Sequence, residues 1–153
     1  MKKQLQQLVD QALSDFVKAS KLAGNEIKRN LIETEYLPAP HKPPSKIPDG
    51  MMAVYVFYHG NRCLKVGKVG PKSAARYTHH HYNPSSSGSN LARSIMLHHK
   101  PIGQGSIKQE DVGKWIKENT DRVNILIPTS MGKLSLSLLE AFLHCRWNPE
   151  YEG

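Results

Sequence analysis

Five prolines, Pro38, Pro40, Pro43, Pro44 and Pro48, divide this chain within about a dozen residues. Proline fixes φ and lacks an N–H, so neither a helix nor a central strand runs through such a segment. Before it, Leu5, Leu8, Val9, Ala12, Leu13, Phe16 and Val17 recur at i, i+3, i+4, i+7 spacing and lay one apolar stripe along a helix. Gly24 and Asn25 punctuate that helix, and residues 26–32 suit a further turn or two. The expected organisation is therefore a helical arm over 1–36, a Pro-rich linker over 37–50 and a folded domain over 51–153.

The domain opens with the apolar, β-branched and aromatic run Met52 to Tyr58, the composition of a largely buried strand. His59-Gly60-Asn61 is a turn signal, and Cys63 to Gly67 reads as the returning strand of a hairpin. Ser73 to His81 is compatible with a helix, whereas the Ser/Gly-rich stretch Asn83 to Asn90 reads as a loop, with Ser89 and Asn90 placed to cap the helix that follows from Leu91. Glu110 to Asn119 offers a short helix, Arg122 to Ile127 a third strand stopped by Pro128, and Lys133 to Trp147 the last long helix. The predicted class is α+β (α/β): a small, mainly antiparallel three-stranded sheet flanked by helices, with the N-terminal helical arm appended.

With 153 residues, 39% of them hydrophobic, the chain has material for one core. It contains no run of about 18 apolar residues, so no membrane span is expected, and its polar start argues against a secretory signal; a cytoplasmic protein is the expectation. Cys63 and Cys145 are far apart and form no CxxC pattern, which excludes the usual zinc and disulfide signatures. The formal net charge is +8. An excess of Lys and Arg favours a polyanionic partner, because neutralising phosphates releases condensed counterions.

Four widely separated fragments carry more specific information: Ala53-Val54-Tyr55, Lys65-Val66-Gly67, Arg76 with His80, and Glu140. Lys65 follows Tyr55 by ten residues and Arg76 follows Lys65 by eleven. In this spacing the chain, from about residue 51 onward, resembles the GIY-YIG nuclease family. It is most similar to the restriction-endonuclease branch, in which lysine stands in place of the second motif's tyrosine and the first motif reads VYVF. Each name-giving tripeptide keeps one residue, Tyr55 and Gly67. Lys68-Val69-Gly70 repeats the second motif, although the spacing favours Lys65. The family's late asparagine, which braces the site, falls on Glu152 here, with Asn148 nearby but out of step.

The resemblance implies a GIY-YIG-like fold and metal-dependent cleavage of double-stranded DNA, with catalytic residues Tyr55, Lys65, Arg76, His80 and Glu140. It implies one Mg²⁺ or Mn²⁺ per active site, and a homodimer, since symmetric double-strand cutting needs two sites. The apolar stripe of the N-terminal helix offers a dimer contact. A repair, recombination or mobile-element nuclease, and an inactive nucleic-acid-binding module, are the alternative expectations.

Each residue also has a chemical reason for its place. Phosphodiester hydrolysis needs charge neutralisation at the non-bridging oxygens, activation of water and help for the leaving oxygen. Mg²⁺ is often held by one or two carboxylates with water and phosphate completing its shell, so Glu140, an ionisable group among Leu136, Leu139 and Leu143, suits a metal ligand. The competing reading is a partly exposed helix glutamate, or one ion-paired with a nearby arginine. Tyr55 is expected to take or relay the water's proton, with Lys65 either favouring the phenolate or contacting the phosphate; packing in the hairpin core is its alternative. Arg76 has the planar fork of a phosphate clamp. His80, one helical turn on, is placed to orient the nucleophile or protonate the leaving oxygen. Lys68, Lys72 and Arg93 are expected DNA contacts. The run His79-His80-His81 is not a metal site on this reading, because successive helix residues point about 100° apart; Trp115 and Trp147 are assigned to packing.

Overall fold

A computed structural model describes residues 2–151. Helix α1 spans Lys2–Leu22, β1 Glu33–Leu37, β2 Met51–His59, β3 Arg62–Val69 and α2 Ala74–Thr78. Then follow α3 Leu91–Leu97, α4 Gln109–Asn119, β4 Asp121–Pro128 and α5 Lys133–Trp147, with short 3₁₀ turns between several of them. The class is α+β, and the sheet is antiparallel throughout, in the order β1-β4-β2-β3.

The sheet has four strands rather than the three expected. The extra strand, β1, has a half-exposed ETEYL sequence that shows little hydrophobic pattern. It exists because its backbone pairs with β4, Glu33 opposite Leu126 through Leu37 opposite Arg122. The pairing satisfies main-chain groups that no local signal accounts for.

Period-two alternation sorts the two faces of the sheet. Met52, Val54, Val56, Val66, Val123 and Ile125 face α1 and α5 and form one core with Val9, Leu13, Phe16, Leu136, Leu139 and Leu143. Most of the stripe of α1, expected to offer a dimer contact, packs within the chain, although Leu8 stays 54% exposed, and Asp15 on the same helix is ion-paired with Arg146 of α5 at 2.6 Å. Ala53, Tyr55, Phe57 and Leu126 face the other way, into a second core with Tyr77, Leu91, Ile95, Val112 and Ile116. The proline-rich segment connects β1 to β2 and is anchored by His41, which is buried against Thr120 and Tyr82. At the far side of the sheet β3 is an edge strand, and the candidate site is built around that edge.

Candidate active site

The hairpin register sets the first two side chains. Tyr55 lies opposite Gly67, and Lys65 lies opposite Phe57, so Tyr55 and Lys65 share a face, two positions apart along the ladder. The ring of Tyr55 extends across β3 directly over Gly67, and a methyl group there would overlap the phenol. Glycine at position 67 therefore has a steric cause: its missing side chain is the space through which the hydroxyl reaches the sheet edge. Tyr55 is 1% exposed and Lys65 6%, and Lys65 Nζ lies 3.5 Å from Ser89 Oγ.

On the opposite side of β3, Lys68 points toward α5. Its Nζ lies 3.0 Å from Glu140 Oε2 and 3.3 Å from Ser137 Oγ. His144, one turn after Glu140, has its Nε2 3.0 Å from the Val66 carbonyl and 3.6 Å from Glu140 Oε1. Both neighbours of that nitrogen accept, so it carries the proton. Glu140 is thus ion-paired with Lys68 rather than with an arginine, and the His144 imidazole, whose N–H is given to the Val66 carbonyl, lies beside it.

The histidine run behaves differently from its sequence expectation. The helix carrying Arg76 ends at Thr78; His79 leaves helical geometry at φ −123°, ψ −14°, and a 3₁₀ turn takes over at His80–Tyr82. The i to i+4 relation between Arg76 and His80 is therefore broken, and His80 turns its Nε2 to the Ser89 carbonyl at 3.0 Å. His81 reaches the tyrosine instead, with Nε2 2.5 Å from the Tyr55 hydroxyl. The backbone N–H of Leu91 donates to His81 Nδ1 at 3.1 Å. That contact fixes the tautomer: Nδ1 accepts, so Nε2–H donates to Tyr55. Burial pushes the His81 pKa down to about 2, helped by the Lys65 cation, and pushes that of Tyr55 above the ordinary phenol range against the opposing pull of Arg76 and Arg122.

Behind these groups lies Arg122, 1% exposed. Its guanidinium donates to Asn124 Oδ1 at 2.8 Å, the Tyr82 hydroxyl at 3.1 Å and the Tyr77 carbonyl at 2.6 Å. It sits 5.1 to 5.5 Å from the ring centres of Tyr77, Phe57 and Tyr55. A buried cation satisfied by oxygens and aromatic faces anchors the floor beneath Tyr55.

Tyr55, Lys65, Arg76, His81, Glu140 and His144 line a single narrow cleft of about 80 Å³, together with Val66, Gly67 and Ser89. Four of the five sequence-selected residues meet there. His80 does not line it, and His81 and His144 were missed. His144 had a readable signal, four residues after Glu140 on the same helix face; His81 had none, because its role follows from the break at His79. Comparison with models of known families, with curated proteins and with solved structures gave no match.

Among the described residues no group of three or more His, Cys, Asp or Glu gathers as an all-protein metal cage. The donor set fits a hard, largely hydrated divalent cation held by the single Glu140 carboxylate, provided Lys68 gives way. His144 Nε2, being protonated, is not a ligand. Of the expected DNA contacts, Lys68 lies on β3 and Lys72 is exposed in the turn between β3 and α2. Arg93 instead donates to the carbonyls of Pro84, Ser86 and Gly88 at 2.8 to 3.2 Å, and so orders the loop that carries Ser89. Asn90 caps α3 as expected, its Oδ1 accepting from Arg93 N at 2.8 Å. Asn148 ends α5 in a left-handed conformation at φ 41°, and Glu152 lies outside the described residues.

Proposed function

We propose that this protein is a metal-dependent DNA endonuclease of restriction type, hydrolysing phosphodiester bonds of double-stranded DNA and acting as a homodimer. The observation that carries the reading is the convergence of Tyr55, Lys65, Arg76, His81 and Glu140, drawn from four separate parts of the chain, on one cleft at the edge of β3. Packing alone gives no reason for a tyrosine, two cations and a carboxylate to meet there.

On this reading Arg76, exposed at the rim, clamps the phosphate through its fork of N–H donors. Lys65, nearly buried, neutralises a non-bridging oxygen from a dry position where its charge is little screened. Tyr55, once ionised, accepts the proton of the attacking water, and His81 Nε2–H steadies the phenolate oxygen. His81 does not itself take the proton, since Nδ1 is engaged by Leu91 N–H and Nε2 already carries one. On this reading His81 supports the Tyr55 oxygen, a duty different from the one expected of His80 from sequence. Glu140 is the residue that would hold Mg²⁺ or Mn²⁺, which when bound supplies charge stabilisation at the phosphate and the leaving oxygen.

The test is incubation of the purified protein with plasmid and phage DNA with and without Mg²⁺, beside Glu140→Ala. Discrete Mg²⁺-dependent fragments from the wild type alone support the reading. DNA binding without any product points to a binding module, and cleavage surviving in Glu140→Ala removes the metal-ligand assignment.

A further inference from the structure

The Tyr55 cleft, at about 80 Å³, accommodates the reacting group and little of the strand on either side. Two openings adjoin it. One shares Ser89 with it and is bordered by Glu150 and by Arg93, whose guanidinium is engaged by loop carbonyls. The other shares Arg76 with it, measures about 320 Å³ and is bordered by Lys68, Ser73, Lys133 and Ser137. Its three cations come from β3, α2 and α5, no carboxylate lines it, and two serine hydroxyls stand among them.

We propose that this second cleft, walled by Lys68, Ser73, Arg76, Lys133 and Ser137, is a phosphate site for the DNA backbone next to the scissile group. The inference rests on the nuclease reading for the identity of the strand, and on its own geometry for the direction in which the strand leaves. A polyanion follows the opening whose lining charges are all positive, whereas in the other Arg93 is engaged by loop carbonyls and Glu150 is ion-paired with Arg62 at 3.2 Å. Arg76, belonging to both clefts, places the two phosphates on either side of one guanidinium. Lys68 joins them as well, since its ammonium already spans Glu140 of the first cleft and Ser137 of the second. When Glu140 exchanges Lys68 for a divalent cation, the freed ammonium stays at Ser137, beside the proposed phosphate. Lys133, exposed on the first residue of α5, is the cation that belongs to this cleft alone.

The test is fluorescence anisotropy of a labelled DNA duplex with the full chain in EDTA, where nothing is cut. Wild type, Lys133→Gln, Lys133→Glu and the control Lys3→Gln, at the opposite end of α1 from the turn that meets α5, are titrated at several salt concentrations. Losing one phosphate contact lowers the slope of log K against log salt by about 0.9 for duplex DNA, so between about 50 and 200 mM salt Lys133→Gln loses roughly 3.5-fold less affinity than wild type. Lys133→Glu binds more weakly still, and Lys3→Gln keeps the wild-type slope. A Lys133→Gln slope equal to that of wild type overturns the site, and so does an effect confined to an RNA duplex. If the slope changes but Mg²⁺ yields no cleavage, the phosphate site stands and the nuclease reading falls. If DNA is cut while Lys133→Gln binds like wild type, the nuclease reading stands and the site falls; absence of DNA binding removes both.

Discussion

His81 Nε2 lies 2.5 Å from the Tyr55 hydroxyl, and the Leu91 N–H on the other side of the ring makes His81 the donor in that bond. The tyrosine oxygen is thereby aimed and partly charge-compensated by a neutral imidazole. His80, its neighbour, turns its Nε2 to the Ser89 carbonyl instead.

These two histidines should therefore separate in mutagenesis. Under the nuclease reading His81→Ala lowers single-turnover DNA cleavage by about 10²-fold or more, the range of a group assisting proton transfer. His80→Ala costs at most a few-fold. A larger loss at His80 than at His81 would return the assignment to its sequence-based form.

Gly67→Ala tests the passage across β3. The new methyl group collides with the Tyr55 phenol, and the ring must move to accommodate it. Overpacking of this kind costs about 1–3 kcal/mol of stability, read as a lower denaturation midpoint, and cleavage falls with it. The backbone at Gly67 has negative φ, so an unaffected variant would mean that the ring is not where the steric argument requires it.

The Tyr55 phenol, raised above its ordinary value by burial, is protonated at neutral pH. If its phenolate is the base, the cleavage rate climbs about tenfold per pH unit from roughly pH 6 to 9. No acid limb from His81 interrupts this range, since its imidazole is held down to about 2. Tyr55→Phe should remove both the activity and the slope. A flat profile in the wild type counts against Tyr55 as base.

The same histidine makes stability depend on pH. Its folded pKa is depressed from 6.5 to about 2, so the unfolded chain binds the extra proton and the stabilising contribution, complete above 6.5, is lost as pH falls toward the folded value. His41, depressed by burial, acts in the same direction. His81 can remove up to about 1.4 kcal/mol per pH unit below pH 6. Urea titrations at stepped pH should find a shallower acid slope in His81→Asn; an unchanged slope would mean that His81 is already protonated in the folded chain.

Lys68→Met tests the exchange at Glu140. This pair is partly exposed, 43% at the lysine and 22% at the glutamate side chain, so it contributes roughly 0.2–1 kcal/mol. Without its internal competitor the carboxylate binds Mn²⁺ up to about fivefold more tightly, measured by calorimetry in the absence of DNA. Weaker binding in the variant would show that Lys68 positions the carboxylate rather than competing for it.

Much of this arrangement was legible in the linear chain. Met51–His59 and Arg62–Val69 announce a hairpin through local composition and a turn, and the ten-residue step from Tyr55 to Lys65 runs from one strand around that turn into the other. The α1 and α5 stripes follow from helical spacing alone. Glu140 stood out because a carboxylate among leucines needs a reason.

Other features had no local signature. Strand β1 is specified by its partner β4, and a half-exposed edge strand carries little pattern of its own. The choice between His80 and His81 turned on a helix that stops at Thr78, a detail of one residue's φ and ψ that reverses where each ring points. That Lys68 holds Glu140 depends on elements far apart in sequence, and that Arg93 bonds the carbonyls of its own loop depends on the path the loop takes back to α3. Sequence by itself determined the elements and the cast of chemical groups, because periodicity, turn chemistry and spacing act over a few residues. Tertiary structure decided which groups meet, because hydrogen bonds and ion pairs at the edge of β3 form only once the sheet register and the packing of α5 have fixed them.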